Sequence, residues 1–292
     1  MTTLVSEKNN SFIFEKDNLT IINDDGLNIL NSLKDNSVDL ILTDPPYKIS
    51  KDSGMNKFEK EVQKIDEIGV NVKTEAEWLE YKEKKGYVND EWKENYLKYG
   101  NTSGKKYGYK TDYGEWDKDF TIDKLDQFIK LFYKKLRKGG TLIIWFDLWK
   151  KGELRTLMEK AKTDKTGFKQ IRFIEWIKTN PVPLNQHTNY LSNCREIALL
   201  GVKGSKPTFN SKFDKGIYYY PIQHVKKGLR HPTQKNFELF EELIRKHSNE
   251  GDLVVDTFLG GGTTAFACKN TGRRFIGGDI DKKYFDMVTS QL

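Results

Sequence analysis

Two short stretches of this 292-residue chain carry residue types that could do chemistry together. The first, Asp44-Pro45-Pro46-Tyr47, follows the apolar run Val38-Asp39-Leu40-Ile41-Leu42-Thr43. Each proline fixes φ, removes a donor and restricts the residue before it, so the turn is stiff and its carbonyls remain as acceptors. The Asp44 carboxylate and the Pro45 carbonyl could together accept both hydrogens of an amino group on a heteroaromatic ring, while Tyr47 offers that ring a face to stack on. Such acceptors oppose delocalisation of the nitrogen lone pair and make the nitrogen more nucleophilic. The bland alternative, an ordinary strand-to-loop turn, leaves the full tetrapeptide unexplained.

The second stretch, Asp256-Thr257-Phe258-Leu259-Gly260-Gly261-Gly262-Thr263-Thr264, follows Leu253-Val254-Val255. Its glycines let the backbone turn with φ > 0 and approach a ligand closely, with the N–H groups of a helix start facing the crevice. Asp279 closes the next β-like run, 19 positions after Gly260, where a carboxylate can accept both hydroxyls of a ribose. Gly260-x-Gly262-x-x-Ala265 alone suits a dinucleotide equally well, which leaves a nicotinamide oxidoreductase open. That rival does not explain the Asp-Pro-Pro-Tyr turn. A Walker phosphate loop is excluded, because no Gly-Lys-Ser/Thr follows.

Both stretches need a sheet to hold them. Short β-branched runs alternate with amphipathic stretches, the signature of an α/β fold with a doubly wound, mostly parallel Rossmann-like sheet. The patterns predict strands over 19–22, 38–42, 141–146, 171–177, 196–201, 253–255 and 274–277. They predict helices over 27–33, 122–138, 152–162, 236–247, 263–270 and 282–292. Arg137-Lys138-Gly139-Gly140 reads as a helix stop. In a doubly wound sheet a ligand binds where the strand order reverses, so the strands ending at Asp44 and Asp256 should be neighbours.

Charge and composition narrow the partners. The net charge of +7 is matched by residues 203–235 alone, with eight basic groups against Asp214. Phe209, Phe213 and Tyr218 to Tyr220 interleave with them, which suits phosphate and base contact; a solvated basic loop is the plainer alternative. Residues 48–115 balance 14 Lys with 14 acidic groups and carry seven Tyr and two Trp, the look of an insertion. Two cysteines and four histidines at no ligand spacing argue against zinc or any other metal. With no leader-like or 18-residue apolar run, the chain reads as cytoplasmic and soluble, without a membrane partner.

Together the motifs resemble the permuted β group of S-adenosylmethionine-dependent DNA amino-methyltransferases, in which the catalytic motif precedes the cofactor motif. The resemblance covers residues 21–47 and most of 115–292, a single catalytic domain interrupted by 48–115. It implies that Asp256, Phe258, Gly260, Gly262, Thr263 and Thr264 serve the methionine end of the cofactor, Asp279 its ribose and Asp25 its adenine, with Asp44 bordering the same site. His231-Pro232-Thr233-Gln234-Lys235 matches the segment beside the methionine carboxylate, which adds Thr233 and Lys235. Trp176-x-Lys178-x-Asn180-Pro181 and Cys194-Arg195-Glu196 match the segment around a flipped target base. The chain departs from the family pattern at Asn236 and Thr257, where Pro is usual, and at Asp279, where Glu is frequent.

The resemblance further implies that a base flipped out of DNA stacks on Tyr47 and donates its amino hydrogens to Asp44 and Pro45, while Pro46 stiffens the turn. Catalysis then rests on positioning and aimed acceptors, with no metal and no covalent intermediate. Asp rather than Ser before Pro-Pro favours adenine N6 over cytosine N4. Segment 203–230 stands where the family keeps its target recognition. A homodimer and a cognate restriction endonuclease are further partners the resemblance admits. Rival readings are a methyltransferase for RNA or a protein amide, which Asp44 disfavours, and a silent nucleic-acid-binding module, which the intact motifs disfavour.

Overall fold

The computed structural model describes residues 4–8, 11–46, 73–99, 102, 120–163, 165–181, 194–223 and 234–292. The chain forms two compact units, one of residues 1–49 and 115–292, the other of residues 50–114.

The larger unit is built on one sheet of ten strands. In chain order they are β1 (Leu4–Lys8), β2 (Ser11–Lys16), β3 (Leu19–Asn23), β4 (Val38–Thr43), β5 (Leu136–Trp145), β6 (Lys169–Lys178), β7 (Arg195–Val202), β8 (Ile217–Tyr220), β9 (Leu253–Asp256) and β10 (Arg274–Asp279). Their spatial order is β1-β2-β3-β10-β9-β4-β5-β7-β6-β8. The centre, β3-β10-β9-β4-β5, is parallel throughout. The flanks are mixed: β1, β2 and β3 pair antiparallel, as do β5, β7 and β6, whereas β8 runs parallel to β6. The mostly parallel sheet read from the sequence is therefore a parallel centre between flanks that include antiparallel pairs. Neither the β1–β2 hairpin nor β8 is foreshadowed in the sequence pattern.

Alternation along the strands sends side chains to both faces. On one face Leu40, Leu42, Ile143 and Val254 pack with Leu239, Leu243, Ala265 and Phe285, which come from helices Phe237–His247, Thr263–Thr271 and Lys282–Thr289. On the other, Val38, Ile41, Leu142 and Val255 pack with Leu30, Phe128, Ile129 and Leu154 from helices Gly26–Ser32, Ile122–Lys135 and Lys151–Glu159. Helices on both faces make the sheet doubly wound.

One expected boundary moves. The helix starting at Ile122 ends at Lys135 and passes directly into β5, so Arg137-Lys138-Gly139-Gly140 is strand and not a helix stop. Leu136 is fully buried and pairs with Val38, and the register then shifts between Val38 and Leu40. Gly139 sits at φ 82°, the left-handed conformation that such an irregularity asks of glycine.

In the smaller unit, helices Glu75–Lys85 and Lys93–Tyr99 gather an aromatic cluster. Thr74 and Glu77 form a capping box at the start of the first helix. Trp78 is buried and donates its indole N–H to Asp90 at 3.0 Å, while Tyr81 and Tyr96 stack at 4.4 Å.

Candidate active site

All five central strands point the same way, so their carboxyl ends form one edge. Asp25, Asp44, Asp256 and Asp279 lie along it, and Trp145 ends β5 there. β4 and β9 are neighbours, with Ile41 opposite Val255, which puts the Asp44 turn and the glycine turn on adjacent strand ends. Because β7 runs antiparallel to β5, its amino end reaches the same edge and brings Glu196.

The glycine turn is held from below by two buried carboxylates. Asp256 Oδ1 accepts from the Thr43 hydroxyl at 2.7 Å and the Phe258 N–H at 3.1 Å, and Oδ2 accepts from the Thr264 hydroxyl at 2.6 Å. One acid thus ties β4, β9 and the start of the following helix into a single knot. Burial pushes the Asp256 carboxyl up to about 6, although these donors favour its ionised form. Asp279 accepts the Gly260 N–H on Oδ2 and the Asp281 N–H on Oδ1, both at 2.9 Å, and burial also raises it to about 6.

Gly262 opens the helix at φ 75°, where a β-carbon would stand 2.8 Å from Val288 Cγ2. Thr263 and Thr264 are buried in its first turn. Phe258 faces Phe128 at 4.7 Å and Phe120 at 5.5 Å, an aromatic wall under the turn. Asp25 caps the Gly26–Ser32 helix by accepting from the Leu27 N–H at 2.8 Å, and Lys124 stands 3.1 Å from its other oxygen.

Ion pairs dominate the Asp44 side. Lys235 Nζ lies 2.6 Å from Asp44 Oδ2 and 2.8 Å from Glu196 Oε2, and Lys178 Nζ lies 2.7 Å from Glu196 Oε1. Only 5% of the Lys235 side chain is exposed. The Trp145 and Trp176 rings lie beneath Lys235 and Lys178, at 5.8 and 5.4 Å. Burial would lift the Glu196 carboxyl, but the Lys235 and Lys178 ammoniums outweigh it and hold the group at about 2.

Sequence reasoning missed Lys151, at the start of helix Lys151–Glu159, which is buried and donates to the Phe146 and Ile197 carbonyls. Burial pulls its ammonium down to about 7, the Asp44 charge opposing that fall and the Lys235 charge reinforcing it. Trp145 was missed as well. Its indole N–H, the Thr257 hydroxyl and Gln234 Oε1 are buried polar atoms with no partner among the described residues. Gln234 also donates to the Gly261 carbonyl at 3.3 Å. Unpartnered groups beside a glycine turn suit a small polar ligand that brings its own donors and acceptors.

Asn236, standing where proline is usual, starts a helix by other means. Its side chain accepts from the Leu239 N–H at 2.9 Å and donates to the Pro221 carbonyl at 3.0 Å. Tyr47, Thr233, Lys226, Lys227 and Arg230 lie outside the described residues, as do all of 48–72 and 103–115.

Of the basic block 203–230, the described residues are 203–223. β7 ends at the amino edge of the sheet, opposite Asp44, so the segment joining it to β8 starts and ends at that far edge. The segment carries Lys206, Lys212 and Lys215, all exposed. Lys203 is turned inward, donating to Asn36 Oδ1 at 2.8 Å and to the Leu136 carbonyl at 2.7 Å. Tyr218 belongs to the core. Residues 221–223 leave β8 at the Asp44 edge, where Tyr220 pairs with Lys178.

A sheet of this topology, with a glycine turn and an Asp-Pro-Pro turn at one edge, defines a class I methyltransferase. The profile of the DNA methylase family matches residues 38–290, and the chain belongs to that N6/N4 family. It is 30% identical over 208 residues to the type II methyltransferase M2.DpnII of Streptococcus pneumoniae, covering 62% of this chain and 72% of that one. To M.HpaI of Haemophilus parainfluenzae it is 26% identical over 281 residues, covering 89% and 70%.

Among solved structures, the M1.HpyAVI–SAM complex superposes with a TM-score of 0.57 at 24% identity, over 94% of this chain and 100% of that one. The cytosine-N4-specific PvuII methyltransferase superposes with 0.61 at 16% identity, over 94% and 86%. The fold is shared with both. The methyl donor of this class is S-adenosylmethionine, and the residues around the glycine turn fit it. No helix of the described residues is long and apolar enough to cross a membrane, and no cluster of ligating side chains among them could hold a metal ion.

Proposed function

We propose that this chain methylates adenine N6 at a specific DNA sequence, as the modification enzyme of a restriction–modification system. The observation that carries the reading is the adjacency of β4 and β9, which sets Asp44 beside the glycine turn. When bound, S-adenosylmethionine supplies a methyl group on a cationic sulfur. Gly260, Gly262, Thr263, Thr264, Phe258 and Thr233 hold its amino-acid end, Asp279 takes the ribose hydroxyls, and Asp25 borders the adenine. Asp256 serves this end from below, by fixing the turn. Lys235 closes the site from the Asp44 side.

Asp44 accepts a hydrogen from the amino group of a flipped base, with the Pro45 carbonyl as second acceptor and Tyr47 as stacking face. Its carboxylate gains most as positive charge develops on the nitrogen, which is where an enzyme should concentrate its interactions. Within segment 203–230, the proposed target-recognition segment, residues 221–223 leave β8 at the Asp44 edge, and the basic residues that follow them in the chain suit phosphate contact better than the far-edge lysines do. Kinship with type II methyltransferases supports a cognate endonuclease as partner.

An acid before Pro-Pro favours adenine. The fold shared with a cytosine-N4 enzyme supports N4 of cytosine as the second reading. Incubation of the purified chain with labelled S-adenosylmethionine and mixed-sequence DNA, followed by digestion to nucleosides, separates the two. The label is expected in N6-methyladenine; label in N4-methylcytosine would assign the second.

A further inference from the structure

The carboxyl edge holds an alternating chain of charges that extends behind Asp44. From Asp44 Oδ2 it runs through Lys235 Nζ at 2.6 Å to Glu196 Oε2 at 2.8 Å, and from Glu196 Oε1 to Lys178 Nζ at 2.7 Å. Its members come from the ends of β4, β7 and β6 and from the segment before helix Phe237–His247. We propose that Glu196 is a positioning residue: anchored by Lys178, it holds the Lys235 ammonium against Asp44, so that Asp44 meets the target amino group as a fixed, charged acceptor. The proposal rests on the reading of Asp44 given above and extends it to a residue that need not touch the base.

The physical case starts from desolvation. With 5% of its side chain exposed and resting on the Trp145 ring, Lys235 sits where desolvation disfavours an ammonium, and each carboxylate beside it opposes that cost. Other charges around it make this worse. Lys151 and Lys178 bring two more amino groups, with Asp147 the further acid acting on Lys151. Glu196 supplies a second negative charge that favours the ammonium form of Lys235, and two carboxylates, at 2.6 and 2.8 Å, fix where that ammonium sits. Lys235 in turn ties down one oxygen of Asp44, and an ammonium at that distance favours the charged form of the carboxylate. A carboxylate that took up a proton would lose its power to accept from the amino group.

Glu196→Gln keeps the shape and removes the charge. The Nζ signal of Lys235, followed by ¹⁵N-lysine NMR and assigned with Lys235→Arg, should then lose its proton at least about one pH unit lower than in the wild type. Methyl transfer should fall roughly 10- to 100-fold in kcat, the scale on which a partner behind a first contact acts. The alkaline limb of its pH profile should move down with the NMR titration. Binding of S-adenosylmethionine and of DNA should change less than about threefold, and Glu196→Asp should restore the titration.

An unmoved Lys235 signal, or a loss of kcat with no change in the shape of the pH profile, would overturn the proposal. If Glu196→Gln does not fold, Lys178→Gln reads the chain from its far end. With one ammonium fewer sharing Glu196, Lys235 should keep its proton to higher pH, and a fixed signal there counts against the proposal equally. If the wild-type protein transfers no methyl group to DNA, the functional reading fails, while the NMR comparison still decides the role of Glu196.

Discussion

The two halves of the carboxyl edge hold their acids in opposite ways. Asp256 and Asp279, beneath the glycine turn, are satisfied by neutral donors: two threonine hydroxyls and three backbone N–H groups. Asp44 and Glu196 are instead ion-paired with the ammoniums of Lys235 and Lys178. Burial therefore wins in the first half, where both carboxyls rise to about 6, and loses in the second, where Glu196 is held at about 2. Neutral donors make a rigid frame that tolerates a change of protonation. Ion pairs hold Glu196 ionised well below neutral pH, which suits a network built around a carboxylate that must stay an acceptor.

Breaking the ion-paired half should have the largest effect on stability. Lys235→Met leaves Asp44 and Glu196 facing each other without the ammonium between them. The loss in urea unfolding should be about 3 to 5 kcal/mol, the cost of removing one partner from a buried pair. A loss below about 1 kcal/mol would mean that water reaches these groups and that the contrast between the halves is not real.

The neutral-donor half should respond to pH instead. Asp256 has its folded value raised, so its neutral form contributes stability that is fully present below about 3.8 and is lost as pH rises through about 6. Asp256→Asn should remove that slope. Between pH 4 and 7.5 the wild type should lose on the order of 1 to 3 kcal/mol that the variant keeps. His247, pulled down to about 4 by burial, tilts the curve the other way in both proteins and cancels in the comparison. Parallel stability curves for the two proteins would contradict the shift assigned to Asp256.

Asp279 carries the same logic into binding. If its ionised form takes the ribose hydroxyls, affinity for S-adenosylmethionine should fall by up to about tenfold per pH unit below about 6. Calorimetric titration from pH 7.5 to 5 checks this, and a flat profile would move the ribose-binding role elsewhere. The smallest effect belongs to the far edge. Changing Lys206, Lys212 and Lys215 together to Gln should leave the salt dependence of DNA binding unchanged. If these lysines do neutralise phosphates, the slope should fall by about 0.9 for each phosphate no longer neutralised.

What can be read from the sequence divides along physical lines. The Asp44 turn and the glycine turn are legible because each packs its chemistry into a few consecutive residues after an apolar run. Their adjacency is legible too, because the rule that ligands bind where strand order reverses sets β4 beside β9. Lys151 is not legible: a lysine opening an amphipathic helix belongs to the surface by default. The carbonyls at the ends of β5 and β7, with the Asp44 charge nearby, make its burial tolerable. Segment 203–230 has the composition of one basic surface when charge is summed along the chain, whereas the pairing of β8 with β6 carries its described part, residues 203–223, from the amino edge to the Asp44 edge. The run Arg137-Lys138-Gly139-Gly140 has the composition of a helix stop, but the burial of Leu136 against β4 makes it a strand.

The role of Asp44 is tested most directly by comparing wild type and Asp44→Ala in single-turnover methyl transfer from labelled S-adenosylmethionine to DNA, with the affinity of both ligands measured alongside. An interaction made mainly in the transition state should disappear from turnover and not from binding. The expected result is a fall of at least about 100-fold in the rate of transfer to adenine, with DNA and S-adenosylmethionine bound almost as well as by the wild type. Near wild-type transfer by Asp44→Ala would contradict the account.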